Sequence, residues 1–316
     1  MRGGVLAGLM AAAAMAQGAM EFVITSDVNV AAIAFQEDGK SIAGRGEGRL
    51  RLWDTTTGAV KWKFDPTDGN LSFLPQPGRV ARGRSDGSLE ILAIPGGSVI
   101  GKVSASAAEG RPAFSRDGTL IARPYRVMPR ASETFVRVRD ATGREKFAAP
   151  AGLGGVSVMD FSPDGKFLVA GANDTDLRVW NVQSGELVRV IDEMLVTMFA
   201  IAFSPDGKSL ALAGADRIVY LYDTASWKLS RKLAGQPEMI SAMEFSPDGR
   251  RLVTGGFSEL TVNHPVKVVL WDVASGKMLR TFGAPRQVSS AVFSPDGKIV
   301  AAAYGAKTIT LFPIAD

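Results

Sequence analysis

The stretch Phe161-Ser162-Pro163-Asp164-Gly165-Lys166 decides the fold, because it returns as Phe203 to Lys208, Phe245 to Arg250 and Phe293 to Lys298. Weaker copies are FQEDGK from Phe35 to Lys40, FSRDGT from Phe114 to Thr119 and FLPQPGR from Phe73 to Arg79. Their glycines, 39, 78, 118, 165, 207, 249 and 297, are separated by 39, 40, 47, 42, 42 and 48 residues. A period of this size marks one supersecondary unit repeated along the chain. Seven units fill residues 17–316 as a single domain and leave no space for a second.

Each copy has a mechanical reading. Pro presets the dihedral at the second position of a type I turn, Asp accepts local hydrogen bonds, and Gly takes the left-handed conformation that follows. The turn therefore closes a hairpin. Alternating residues such as Ala32-Ile33-Ala34-Phe35 precede it and short apolar runs such as Phe167 to Gly171 follow, both reading as strands. A second signature comes 14 or 15 residues beyond the turn glycine in five units: LRLWD (50–54), LEILA (89–93), LRVWN (177–181), VYLYD (219–223) and ITLFP (309–313). In units three and six, VRVRD (136–140) and VVLWD (268–272), the spacing grows to 21 and 22. Most units then turn at a pair such as Thr57-Gly58, Ser184-Gly185 or Ser275-Gly276 into one more short strand. Four strands per unit result.

Composition narrows what the repeat can do. Of 316 residues, 46% are hydrophobic and 22% charged, which supports a sizeable core and excludes disorder and fibrous structure. There is no Cys, so disulfide frameworks, iron-sulfur clusters, thiol nucleophiles and thiolate zinc sites are excluded. The single His, His264, excludes multi-histidine metal sites. The net charge of +4 is spread without basic runs longer than two residues, which argues against nucleic acid or anionic lipid as partner.

Residues 1–16 have the layout of a secretory signal peptide: Arg2, an uncharged run from Val5 to Met15, and Ala14-Met15-Ala16 as an A-x-A cleavage pattern. The apolar run falls short of the roughly 20 residues a spanning helix needs. Cleavage near Ala16 predicts a periplasmic or secreted bacterial protein with no stable membrane insertion of the mature chain.

The FSPDG turn followed by a strand ending in Trp-Asp, at this period, resembles the WD40 repeat, which forms one four-stranded blade of a β-propeller. The resemblance spans residues 20–316 and implies an all-β, seven-bladed propeller of four-stranded antiparallel blades. In such propellers the sequence repeat is offset from the blade. The chain stops after the third strand of unit seven, while an orphan strand, Met20 to Thr25, precedes unit one. Pairing the two would close the propeller with an N-terminal strand and remove its exposed edges.

The family often has Gly-His before the first strand, with that His joined by hydrogen bonds to a Ser, an Asp and the Trp. No repeat here has the His. The corresponding Asp survives as Asp86, Asp174 and Asp216, with Glu47 and Glu133 as substitutes. The Trp position keeps Trp53, Trp180 and Trp271, the first and last followed by Asp54 and Asp272. It is replaced by Tyr222 and Phe312 and lost at Leu92 and Arg139.

Three shorter motifs invite chemistry and fail on context. Gly83-Arg84-Ser85-Asp86-Gly87 matches the nucleophile elbow G-x-S-x-G, but it precedes a strand where the elbow precedes a helix. Asn173-Asp174-Thr175-Asp176 resembles a fragment of a calcium loop without the remaining ligands. Gly44 to Gly48 is glycine-rich but lacks the helix N-terminus that would hold a phosphate.

The informative positions are two insertions between the second and third strands of units three and six: Arg123 to Thr134 and Gly256 to Pro265. The family arrangement puts this loop on the face that also carries the connections between blades. Arg123, Tyr125, Arg126 and Arg130 in the first, and Phe257, Glu259 and His264 in the second, are the candidate partner-binding residues. Arg and aromatic side chains are enriched in binding hot spots. The expectation is a monomeric, non-catalytic scaffold for a protein or peptide partner, with no catalytic residue, metal or cofactor. The alternative is an exported propeller enzyme or small-ligand binder using the axial channel.

Overall fold

The computed structural model describes residues 21–66, 70–103, 112–127, 132–192, 196–260 and 264–314. The expected signal peptide and Met20 lie outside them. The described residues form 28 strands and no helix. Strand β1 is Phe22–Thr25. Blade 1 is β2 (Ala32–Phe35), β3 (Ser41–Gly46), β4 (Arg49–Asp54) and β5 (Val60–Phe64). Blade 2 is β6 (Asn70–Phe73), β7 (Arg79–Gly83), β8 (Leu89–Ala93) and β9 (Val99–Val103). Blade 3 is β10 (Ala113–Phe114), β11 (Leu120–Tyr125), β12 (Glu133–Asp140) and β13 (Glu145–Leu153). Blade 4 is β14 (Val156–Phe161), β15 (Phe167–Ala172), β16 (Leu177–Asn181) and β17 (Leu187–Ile191). Blade 5 is β18 (Met198–Phe203), β19 (Ser209–Gly214), β20 (Val219–Asp223) and β21 (Lys228–Leu233). Blade 6 is β22 (Met239–Phe245), β23 (Arg251–Phe257), β24 (Val266–Asp272) and β25 (Met278–Ala284). Strands β26 (Ser290–Phe293), β27 (Ile299–Ala303) and β28 (Thr308–Pro313) complete the series.

Blade 7 has the order β1-β28-β27-β26, with Phe22 opposite Leu311 and Ile24 opposite Ile309. The N-terminal strand thus supplies its outer strand, and the seven four-stranded antiparallel sheets are the blades of a seven-bladed β-propeller, as the repeat predicts. The chain divides into two compact units, one holding blades 1, 6 and 7 and the other blades 2 to 5.

The repeated turn has the expected chemistry. At Ser204-Pro205-Asp206-Gly207, Gly207 donates its N–H to the Ser204 carbonyl at 2.8 Å and takes φ 72°. Asp206 accepts from the Ser204 hydroxyl at 2.7 Å and from the Lys208 N–H at 3.0 Å. The Ser204 hydroxyl also accepts the Ser209 N–H at 2.9 Å, fixing the first residue of β19. The serine and aspartate together replace hydrogen bonds that the tight turn denies to the backbone.

Within each unit cores lie between neighbouring blades, and in blades 1, 4 and 5 the residue at the Trp position packs toward the preceding one. Trp53 joins Ile24, Ala301 and Ile309 of blade 7, and Trp180 joins Ala122, Val136 and Val138 of blade 3. Tyr222 joins Val169 and Val179 of blade 4. In blade 1 the strand facing the tryptophan must be glycine. A Cβ on Gly44 would stand 2.6 Å from Trp53 Cζ3, so the indole lies flat against bare backbone.

Candidate functional site

The two insertions are shorter as loops than the sequence suggests, because flanking strands extend into them. Arg123, Pro124 and Tyr125 belong to β11, and Glu133 and Thr134 to β12, so of the described residues of this insertion 126, 127 and 132 lie outside the strands. Gly256 and Phe257 belong to β23, leaving 258–260, 264 and 265 outside the strands among the described residues. Within each unit the insertion shares a face with a blade connector. Gly154, in the connector after β13, donates to the Ser132 carbonyl at 2.8 Å, and Val288, before β26, donates to the Gly256 carbonyl at 2.7 Å. The second approach is tight enough to exclude a side chain next door: a Cβ on Gly255 would lie 2.6 Å from Val288 Cγ1.

In the first insertion, pairing of β11 with β12 sets Tyr125 opposite Phe135 and Arg123 opposite Arg137. Directly opposed residues share a face of the sheet. The Tyr125 ring centre stands 5.6 Å from that of Phe135 and 4.0 Å from the Arg137 guanidinium carbon. Arg137 is ion-paired with Glu145 at 2.7 Å. Tyr125 is therefore a preordered aromatic beside Val127, which is 65% exposed. Arg123 is half-buried and donates to the Gly87 carbonyl at 2.8 Å. Burial and the neighbouring Arg139 pull its pKa below the ordinary guanidinium value. Arg126 follows Tyr125, and Arg130 lies outside the described residues.

In the second insertion, Phe257 ends β23 opposite Met239, and Leu260 is 71% exposed. Glu259 stands beside it in the loop, and His264 is exposed. The insertion leads back to a buried carboxylate. Glu238, in the connector before β22, is 8% exposed, and burial pushes its pKa up against the opposing pull of Lys267 and His264.

The structural positions have dispersed into separate arrangements. Trp271 donates to Thr254, which donates to Gln236. Gln236 follows Gly235 just before β22, where the family places its His, so Gly-Gln was the signal that a search for Gly-His passed over. Asp174 binds Arg178 at 3.0 Å and accepts the N–H of Leu153, the last residue of β13, also at 3.0 Å. Asp176 binds the same guanidinium at 3.0 Å, so the calcium-like fragment is an arginine clasp. Asp216 accepts from the Tyr220 hydroxyl at 2.6 Å, and with burial this pushes the phenol up to about 12. Asp86 caps Ser88, and its G-x-S-x-G frame is a turn in which Gly87 donates to the Arg84 carbonyl at 2.9 Å. Glu47 accepts from Asn29 at 2.6 Å, and with φ 53° it begins the turn completed by Gly48. Asp54 and Asp272 hold the turns that follow, through the Thr57 N–H at 2.9 Å and the Ser275 N–H at 2.7 Å.

Among the described residues no group of three or more His, Cys, Asp and Glu side chains is arranged to hold a metal ion, and no helix is long and apolar enough to cross a membrane. The family model described as "WD domain, G-beta repeat" matches residues 150–181, 193–223, 227–259 and 276–312. Leu92 and Arg139, the two replacements that remove an aromatic ring, lie outside those matches. No curated protein matches the chain.

Proposed function

The chain carries WD40 repeats, and on that premise we propose that it is a non-catalytic scaffold that docks a protein or peptide partner through the faces bearing its two insertions, in the periplasm or outside a bacterial cell. The observation that carries this reading is the fixed Tyr125, held against Phe135 and Arg137 beside the exposed Val127. An aromatic already ordered by its neighbours loses little entropy when a partner covers it, and Tyr and Arg are the residues that concentrate binding energy. Leu260 and Phe257 supply the matching apolar element of the second insertion. A fold hosts many functions, so the assignment rests on these residues and not on the blades.

The test uses periplasmic extract and three forms of the chain: wild type, Tyr125→Ala, and a form with residues 126–132 replaced by a two-residue turn. A partner identified by mass spectrometry, then purified, should bind the wild type and lose at least tenfold in affinity with either variant. Equal capture of every protein by all three forms would defeat the proposal. So would saturable turnover of a substrate that persists in the loop-replaced form.

A further inference from the structure

The register of the blades exposes a substitution that the fold does not require. In blade 6, Trp271 lies opposite Leu252 on β23, and Thr254, two residues on, supplies the hydroxyl that receives the indole N–H. In blade 3, Arg139 lies opposite Ile121, and the residue two positions on is Arg123. A neutral hydrogen-bonded pair has become two cations on one face of one sheet. That face looks toward blade 2, because Ile121 packs with Leu74, Ala81, Leu89 and Val103.

Among the described residues the electrostatics of this seam are unbalanced. Both guanidinium-bearing residues are half-buried. Arg123 satisfies one donor on a backbone carbonyl, and its Nε is buried with no partner among the described residues. Desolvation and, after it, repulsion from Arg139 both disfavour its charge. The carboxylate directly opposite Arg139 on β13, Glu145, is ion-paired with Arg137 at 2.7 Å. Blade 2 shows how the fold settles the same problem with an acid: its Arg82, at the position of Arg123, is ion-paired with Glu90 directly opposite on β8. Blade 3 has Arg137 there instead.

We propose that the seam between blades 2 and 3 binds a small oxyanion, a phosphate or carboxylate group, between Arg123 and Arg139. Two guanidinium groups on one face present planar donors to such a group, and partial burial strengthens the attraction over that at an open surface. The site shares Arg123 with the docking face proposed above but does not depend on that reading. Arg139 lies inside the blade, so its loss should leave partner capture unchanged.

Thermal unfolding at constant ionic strength decides the matter, with sodium chloride exchanged for sodium phosphate or sodium acetate. The wild type should gain several degrees with a saturable dependence on phosphate. A matching gain with acetate would extend the ligand to carboxylates. Arg139→Leu, which installs the residue found at this position in blade 2, and Arg139→Gln should both lose the gain. Both should also melt no lower than wild type in chloride, since repulsion with Arg123 is relieved. The exposed-strand variant Arg189→Gln should respond as wild type does.

Two results would overturn the proposal. One is equal response to chloride and phosphate, and another is equal loss of response in Arg189→Gln and Arg139→Gln.

Discussion

Trp271 donates its Nε1 proton to the Thr254 hydroxyl at 2.8 Å, and that hydroxyl donates onward to Gln236 Oε1 at 2.5 Å. All three side chains are buried, with Trp271 and Thr254 at 0% and Gln236 at 3% exposure. Blade 6 has thus rebuilt with a glutamine a connection between connector and blade that the repeat family makes with histidine. Trp53 has no such partner among the described residues: its Nε1 is buried without an acceptor, and indole burial over Gly44 holds that position.

Removing the middle member should be costly. Thr254→Val keeps the shape but leaves the Trp271 N–H without an acceptor in a dry core, at a cost of about 1–3 kcal/mol. Urea denaturation should show a lowered midpoint with an unchanged slope. An unchanged midpoint would mean that the hydroxyl contributes packing only.

Sequence carried the architecture because turn chemistry is local. Ser-Pro-Asp-Gly writes its hydrogen bonds and its left-handed glycine within four residues, so each hairpin was legible from the string alone. The outer strand β1 was legible for a different reason: seven copies of the repeat left one strand unpartnered at each end. The partners of the charged groups were not legible, because they depend on cross-strand register and on neighbouring blades. Nothing near Asp174 in sequence marks Leu153 as its donor, and the pairing of Arg123 with Gly87 joins two blades. The insertions were read as whole loops because β11, β12 and β23 run further than the turn spacing implies.

Arg51 joins the connectors on either side of blade 1. It is 2% exposed and bonds Asp27 at 2.8 and 2.9 Å and Asp65 at 2.6 Å. The Arg51 guanidinium holds the Asp27 carboxyl well below the usual carboxylate range. A depressed folded-state pKa gives stability that is present above the ordinary carboxylate value and is lost as pH falls. Arg51→Met should therefore lower the melting temperature by several degrees at neutral pH and make the decline below about pH 4 shallower. Parallel acid limbs for the two proteins would contradict the role given to Arg51.

Two carboxyls run the other way. Asp160 accepts the N–H groups of Phe161 and of Phe203 in the next blade, and Glu244 accepts the Phe293 N–H of the next blade at 2.8 Å. Both residues keep some exposed surface, yet the dense protein around them desolvates the carboxyls. Burial raises Asp160 to about 7 and Glu244 to about 8, against only these backbone donors. The folded state then holds protons that the unfolded chain has released. Their contribution is complete below the ordinary values of 3.8 and 4.5 and is lost as pH rises through about 7 to 8. Melting temperatures between about pH 5 and 9 should fall less steeply for Asp160→Asn with Glu244→Gln than for wild type. Identical slopes would show that neither carboxyl is titrating in that range.

The central claim is that the N-terminal strand β1 completes the blade formed by the chain's last three strands. A chain without cysteine allows a direct measurement of that pairing. Thr25 lies opposite Thr308 on β28, and Val23 lies opposite Thr310. Cross-strand neighbours bring Cβ atoms to roughly 4.5–5.5 Å, within reach of a disulfide after small adjustment. Thr25→Cys with Thr308→Cys should therefore oxidise to a single intramolecular bond in the folded protein, read as loss of both free thiols and a reducible shift in gel mobility. The mispaired control, Thr25→Cys with Thr310→Cys, should keep its thiols under the same mild oxidation. Free thiols in the first pair, or equal crosslinking in both, would contradict closure by β1.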